Sequence, residues 1–294
     1  LIMHPLPRLS ASARVALETT LLIHGVPRAA APALAAELAQ IVRERGASPV
    51  LVGLVNGALR AGLTDAELHE MFTAPQIGKV NASSLGAYAA LGKSGATTVS
   101  TTLEIAAGAG IRVFATGGLG GVHKGFAERI DISADLAALT RFPVAVVTSG
   151  CKSILDVTST RELLESLGVP VIGYCTDRFP AFYLRDGGIG VDARMDDPQE
   201  LGRFIRHELC RTGRGIVIAN PVPVADELDP SDWSIWMANA AQRAHDRGAQ
   251  GRDVTPALLQ ALHEISGGKT LVANIALVKN NVDLAAQLAV AIAS

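Results

Sequence analysis

Five short runs, Pro49–Val55, Ile111–Ala115, Val144–Thr148, Val169–Gly173 and Gly215–Ala219, are nearly continuous in apolar residues rather than alternating. Strands of a parallel sheet covered on both faces read this way, because neither face meets water. Between the runs lie stretches of helical periodicity with recognisable ends. Ala29–Arg45 is alanine-rich and stops before Gly46. Thr64 with Glu67, and Ser159 with Glu162, each spell a capping box ahead of a helix. Asp197-Pro198 sets a cap before a proline at the first helical position, with Glu200 in the first turn, and Thr255-Pro256 repeats the device. Pro221–Asp232 is rich in proline and acid, which predicts a surface loop. From Ser231 onward the pattern is mostly helical. Strands alternating with helices predict an α/β layered fold. No repeat, low-complexity linker or composition break divides residues 1–294, so one domain is expected.

The bulk numbers narrow the function. Hydrophobic residues make up 49% of the 294 and charged ones 18%, which is ample apolar material for a core. A formal charge of −2 argues against nucleic acid or an anionic membrane as the main partner. Cys151, Cys175 and Cys210 form no CxxC pair, so a disulfide framework or zinc site is not expected and a reducing, cytoplasmic setting is. LIMHPLPRLS lacks the basic start and apolar run of a signal peptide. No apolar run reaches the ~20 residues that a bilayer requires. Asn81-Ala82-Ser83 matches a glycosylation sequon that nothing else supports.

At the end of the Ile111–Ala115 run, from Phe114 to Gly125, the chain reads FATGGLGGVHKG, five glycines in twelve residues. A dinucleotide-binding loop needs G-x-G-x-x-G. Counted from Gly118, the third glycine is His123, so the fingerprint fails where helix and strand must approach. Gly92-Lys93-Ser94 looks toward a phosphate-binding P-loop, but the required upstream glycine is Ala87, and SSLGAYAAL before it is helical in pattern. The glycine loop still leaves a strand end, where α/β proteins place ligands. Its amides can converge on an anion, with Thr116, His123 and Lys124 adding polar groups, or it can be a tight turn packing backbone on backbone.

Other polar groups sit at suggestive places. Lys152, after Ser149-Gly150-Cys151, leaves a predicted strand; it is either a desolvated nucleophile or a surface lysine paired with a carboxylate. Glu18 lies between apolar runs, where a carboxylate needs either a partner or a function. Asp131 and Asp135 are four apart, on one face of a helix start, as caps or as oxygen ligands suited to Mg²⁺ or Mn²⁺. Asn274, Asn280 and Asn281 interrupt the apolar helix Leu271–Ala293, to bind a ligand or a neighbouring loop. Lys79 in QIGKV is a solvated charge or a phosphate contact. His24 in LLIHGVP reads as a satisfied core histidine.

Taken in order, ALETTLLIHGVP, GATTV, GIRVFATGGLGGVHKG, DISADL, CKSILD, LGVPVIGY, FPAFY, ANPVP and GGKTLVANIALVKNN resemble the blocks of the pseudouridine-5′-phosphate glycosidase family, also called indigoidine-synthase-A-like. The resemblance runs from about Val15 to Ala293. It implies a three-layer α/β/α fold with a mostly parallel central sheet, a homotrimer, and a divalent metal, usually manganese. It implies chemistry on a carbon–carbon bond to ribose 5-phosphate. Lys152 matches the lysine that forms an imine with C1, Glu18 the general acid/base and Asp135 the metal ligand. Lys79, His123, Ser133 and Asn274 match residues of the sugar-phosphate site, and Thr116, Gly117 and Gly118 its phosphate-side loop. A carbon–carbon bond has no leaving oxygen to protonate, so the usual two-carboxylate hydrolysis does not serve. A lysine nucleophile and a carboxylic acid are the minimal kit.

One block departs. Where the family carries S-R-R-D-L near the nucleobase, this chain has Asn81-Ala82-Ser83-Ser84-Leu85. A site built to hydrogen-bond uracil loses discrimination without such partners. The leading expectation is therefore a C-glycosynthase of natural-product (antibiotic) biosynthesis, joining ribose 5-phosphate to an aromatic acceptor. The alternatives are a pseudouridine-5′-phosphate glycosidase with a divergent base loop, and a non-catalytic sugar-phosphate-binding relative.

Overall fold

The computed structural model describes residues 13–126, 130–246 and 254–294. The expected strands form: β2 (Ser48–Val55), β6 (Val113–Ala115), β7 (Ala145–Thr148), β8 (Val171–Tyr174) and β10 (Ile216–Ala219). Five strands escape the apolar-run reading: β1 (Arg14–Glu18), β3 (Ala58–Ala61), β4 (Gly78–Val80), β5 (Gly95–Thr97) and β9 (Ala193–Met195). Most of these are three or four residues long and carry polar or small side chains, which is too little pattern to read. β1 is the costly omission, because it is central. Among the described residues the sheet order is β4-β5-β2-β1-β6-β7-β10-β8-β9, with β3 beside β2. β2 pairs antiparallel with β3 and β5, and the remaining pairs are parallel.

Helices cover both faces. α2 (Ala31–Glu44), α8 (Pro198–Thr212) and α11 (Lys269–Ala293) pack together over β1, β2, β6 and β7. α5 (Val99–Gly108) and α6 (Ala134–Leu139) pack together, with α5 against β1, β2 and β6. This is the expected three-layer α/β/α arrangement. The core is rich in valine, isoleucine, leucine and alanine from the central strands, with Val15, Ala16, Phe114 and Val146 fully buried. α11 is long and apolar enough to cross a membrane by length and composition. It is instead a core helix, with Leu277, Asn281, Val282 and Leu288 fully buried against its neighbours.

The helix ends mostly follow their sequence signals. Thr64 and Glu67 make a reciprocal capping box on α3 (Asp65–Thr73), and Asp197 caps α8, its carboxylate accepting from Gln199 N at 3.0 Å. Ser159 is not a cap. α7 (Val157–Ser166) starts earlier, and Asp156 caps it by accepting the Ser159 amide at 2.9 Å. The aspartate three residues upstream starts the helix earlier, which leaves Ser159 inside its first turn. α9 (Pro230–Asp246) and α10 (Val254–Ile265) confirm a helical C-terminal third. The side chains of Thr255 and Pro256 lie outside the described residues.

β1 is the place where the strand order reverses, with β2 on one side and β6 on the other. In such sheets the crevice beyond the carboxyl ends of the strands at this point is where a ligand fits.

Candidate active site

Glu18 is the last residue of β1 and ends the strand at the switch point. It is 8% exposed, and burial pushes its carboxyl up to about 7 against the opposing pull of Lys152 and Thr116. The Thr116 hydroxyl, one residue beyond β6, donates to Glu18 Oε1. Lys79, in β4, is exposed at the cavity mouth, and partial desolvation together with the Lys152 charge holds its ammonium below the ordinary lysine range.

Lys152 emerges after β7 on a segment stitched to the glycine loop. Leu119 N donates to Gly150 O at 2.9 Å and Lys152 N donates to Leu119 O at 3.1 Å. Gly150 is left-handed, with φ +81°, and a Cβ there would lie 1.7 Å from the Pro180 carbonyl, so only glycine permits this path. Gly117 and Gly118 similarly leave space for the Phe182 ring, which a Cβ on Gly118 would meet at 2.4 Å. The glycines thus serve close packing as well as any anion.

Around these groups is a cavity of about 140 Å³. Glu18, Lys79, Thr116, Gly117, Gly118, Lys152 and Asn274 all line it, so seven residues named from the sequence converge. Asn274 Nδ2 donates to Gly25 O at 3.1 Å, while its Oδ1 has no partner among the described residues. Wider hollows of about 450 and 230 Å³ open near Met71–Ile77. The acid and lysine chemistry converges on the smaller cavity.

Ser133, His123, Asp131 and Asp135 do not line it. Ser133 caps α6, its hydroxyl accepting from Asp135 N at 3.2 Å. His123 is partly buried, with Nδ1 3.9 Å from Asp131 Oδ2. Asp131 precedes α6 and is exposed, so it does not share a helix face with Asp135.

Asp135 is buried, and both oxygens are engaged: Oδ1 accepts from Ser100 N at 3.0 Å, Oδ2 from Gly120 N at 2.8 Å. No group of three metal-binding side chains occurs among the described residues. A hard cation needs open oxygen ligands and room for its water. Each oxygen keeps a lone pair beside its amide bond, so a divalent cation here would complete its shell with water around the single carboxylate of Asp135. Its observed work is to tie the glycine loop to α5.

His24 is exposed at the cavity wall rather than in the core. Desolvation and the Lys79 charge keep it below the ordinary histidine range. Ser153, Ile154, Phe182 and Tyr183 also line the cavity and were not singled out in the sequence. The FPAFY block was the available signal for the two aromatic residues. Of the asparagines on α11, Asn280 donates to Pro221 O at 3.1 Å, and Asn281 donates to Thr116 O at 2.8 Å and to Ser149 Oγ at 3.1 Å. Both bind neighbouring loops.

The chain is similar to known proteins over nearly its whole length. The model of the family "Indigoidine synthase A like protein" matches residues 9–291. The chain is 48% identical over 279 residues to a pseudouridine-5′-phosphate glycosidase from Methylobacterium nodulans, covering 95% of this chain and 83% of that protein. It is 46% identical over 284 residues to one from Salinispora tropica, covering 95% and 87%. Among solved structures, the prealnumycin C-glycosynthase AlnA in complex with ribulose 5-phosphate superposes with TM-score 0.88 at 35% identity, covering 95% and 91% of the two chains. An indigoidine synthase A-like protein from Thermotoga maritima superposes with TM-score 0.90 at 34% identity, covering 100% and 99%.

Proposed function

The chain belongs to the indigoidine synthase A like family and is an enzyme, and from that premise we propose that it breaks or makes a carbon–carbon bond between C1 of ribose 5-phosphate and an aromatic carbon, with pseudouridine 5′-phosphate cleavage as the first assignment. The observation that carries this reading is the buried Glu18, with its carboxyl near 7, in one cavity with Lys152 and Lys79 beside the glycine loop. The high identity to named glycosidases, and the pentose phosphate in the AlnA complex, support it.

The chemistry follows from the residues. The Lys152 amine attacks C1 and displaces the ring oxygen, which takes the Glu18 proton and becomes the C4 hydroxyl; the new C1 ammonium returns a proton to Glu18 and leaves an open-chain amine at C1. Cleavage of the bond from C1 to the aromatic carbon leaves the electron pair on that carbon, which takes the Glu18 proton. The nitrogen lone pair forms the imine, and water hydrolyses it to the sugar aldehyde and free lysine. Synthesis runs the same steps backwards. A carboxyl near 7 is poised to give and take a proton at neutral pH. Lys79 and the amides of Gly117 and Gly118 supply positive potential for the phosphate. The reading extends to a cytoplasmic homotrimer, which sedimentation of the purified chain tests.

A second reading has its own support. Asn81 Oδ1 accepts from Ser83 N at 3.1 Å, Ser84 N at 3.2 Å and Ser83 Oγ at 2.8 Å, so this segment's polar atoms satisfy one another. Without the family's arginines, that favours an aromatic acceptor other than uracil and the synthetic direction. Incubation with pseudouridine 5′-phosphate separates the two: rapid uracil release supports the glycosidase, and no release with ready coupling of ribose 5-phosphate to a phenolic acceptor supports the synthase. Borohydride trapping with ribose 5-phosphate should add one reduced sugar phosphate to the wild type and none to Lys152→Ala; an unmodified wild type at saturation refutes the imine.

A further inference from the structure

Two nearly buried polar atoms on the wall of the cavity have no hydrogen-bond partner among the described residues: Asn274 Oδ1 and Ser153 Oγ. Asn274 is already part of the expected sugar-phosphate site. Ser153 is not, and its residue is only 7% exposed. Buried hydroxyls almost always find a partner, and one left open on a cavity wall marks a place where a ligand supplies it.

The position of Ser153 is held by backbone bonds on both sides. Lys152 N is tied to Leu119 O at 3.1 Å, and Leu155 N closes a turn onto Lys152 O at 2.9 Å, with Ser153 inside that turn. Leu21, Ile154 and Phe182 make much of the surrounding wall apolar. A ligand whose C1 is bonded to Lys152 therefore presents its upper carbons to this wall, with the phosphate four carbons away. The oxygen available there is a hydroxyl.

We propose that Ser153 is a substrate-contacting residue whose side chain hydrogen-bonds a hydroxyl of the open-chain sugar while C1 is joined to Lys152. This rests on the lysine-imine reading. Ser153 carries no chemical step; it holds the sugar so that C1 meets the amine. Because its hydroxyl has no partner among the described residues, removing it should affect sugar binding without weakening the fold.

The test compares Ser153→Ala with wild type. The ribose 5-phosphate concentration that gives half-maximal borohydride-trapped adduct should rise about 3- to 10-fold, the size of one neutral hydrogen bond. The melting temperature without sugar should stay the same or rise. Ser153→Cys, of similar volume but a weak donor, should fall between the two and stands in if the alanine variant does not fold. An unchanged half-saturation overturns the inference. A lowered melting temperature with unchanged half-saturation assigns the hydroxyl a structural role and overturns it too. If the wild type forms no adduct, the imine reading falls, and calorimetric titration with ribose 5-phosphate decides Ser153 separately: equal Kd for wild type and Ser153→Ala overturns it, weaker binding by the variant supports it.

Discussion

Thr116 donates its hydroxyl hydrogen to Glu18 Oε1, which joins the ends of the neighbouring strands β1 and β6 across the switch point of the sheet. That bond favours the charged carboxylate, and burial opposes it more strongly. The result is an acid that titrates near 7 at the point where a proton must be exchanged.

This sets a pH dependence with a definite sign. The Glu18 carboxyl is raised in the folded protein from 4.5 to about 7, so its protonated form is the one the fold tolerates. The unfolded chain ionises first, and stability present below 4.5 is lost as pH rises through about 7. The loss is on the order of 3 kcal/mol. Glu18→Gln should therefore melt higher than wild type at pH 8 and gain much less at pH 5, while losing activity. Equal gains at both pH values would refute the raised carboxyl. Thr116→Val removes a bond that favours ionisation, so the alkaline limb of the activity profile should move upward.

Asp135 joins parts of the chain that sequence separation hides. Thr98, at the start of α5, makes no side-chain cap, and the Ser100 amide is satisfied by Asp135 instead. The same carboxylate holds Gly120 N. Asp135→Ala leaves two buried amides without acceptors and should cost about 2–5 kcal/mol. Thermal melts in excess chelator separate this from metal loss. A variant as stable as wild type in chelator would show that the tie is dispensable.

Much of this was legible in the sequence, for reasons that differ by element. Buried parallel strands such as β7 announce themselves because both faces are apolar. β1 does not, since Arg14 and Glu18 bracket only three apolar residues. The cavity residues were found through their motifs, yet the exposure of His24, the amide bonds of Asp135 and the place of Ser153 were not read from the sequence. Asp135 bonds amides 15 and 35 residues away, and Ser153 is distinguished only by a bond it lacks. Neither fact leaves a local trace. The glycine loop was open to two readings, and Gly118 against Phe182 shows that close packing is a part of its purpose.

Gly150 provides a strong test of that packing. It combines a left-handed backbone with a Cβ position 1.7 Å from backbone oxygen at Pro180, which cannot rotate away. Gly150→Ala should cost at least about 3 kcal/mol, combining backbone strain and displaced packing. It should also detach Lys152 from the loop, so sugar adduct formation falls even at temperatures where the variant remains folded. A melting temperature within two or three degrees of wild type would contradict the geometry.

Asn281 anchors the same region from α11. It is fully buried, donates to Thr116 O at 2.8 Å and to Ser149 Oγ at 3.1 Å, and accepts from Asn220 Nδ2 at 3.0 Å. Its hydrogen bonds go to Thr116, Ser149 and Asn220, and so it fixes the backbone of the residue whose hydroxyl reaches Glu18. Asn281→Leu matches the volume closely while leaving these three groups without their partner, at a cost of about 2–4 kcal/mol. If the amide matters through Thr116, the variant should also shift the pH profile in the direction of Thr116→Val. A variant that is destabilised but keeps the wild-type pH profile would confine Asn281 to holding the helix on the sheet.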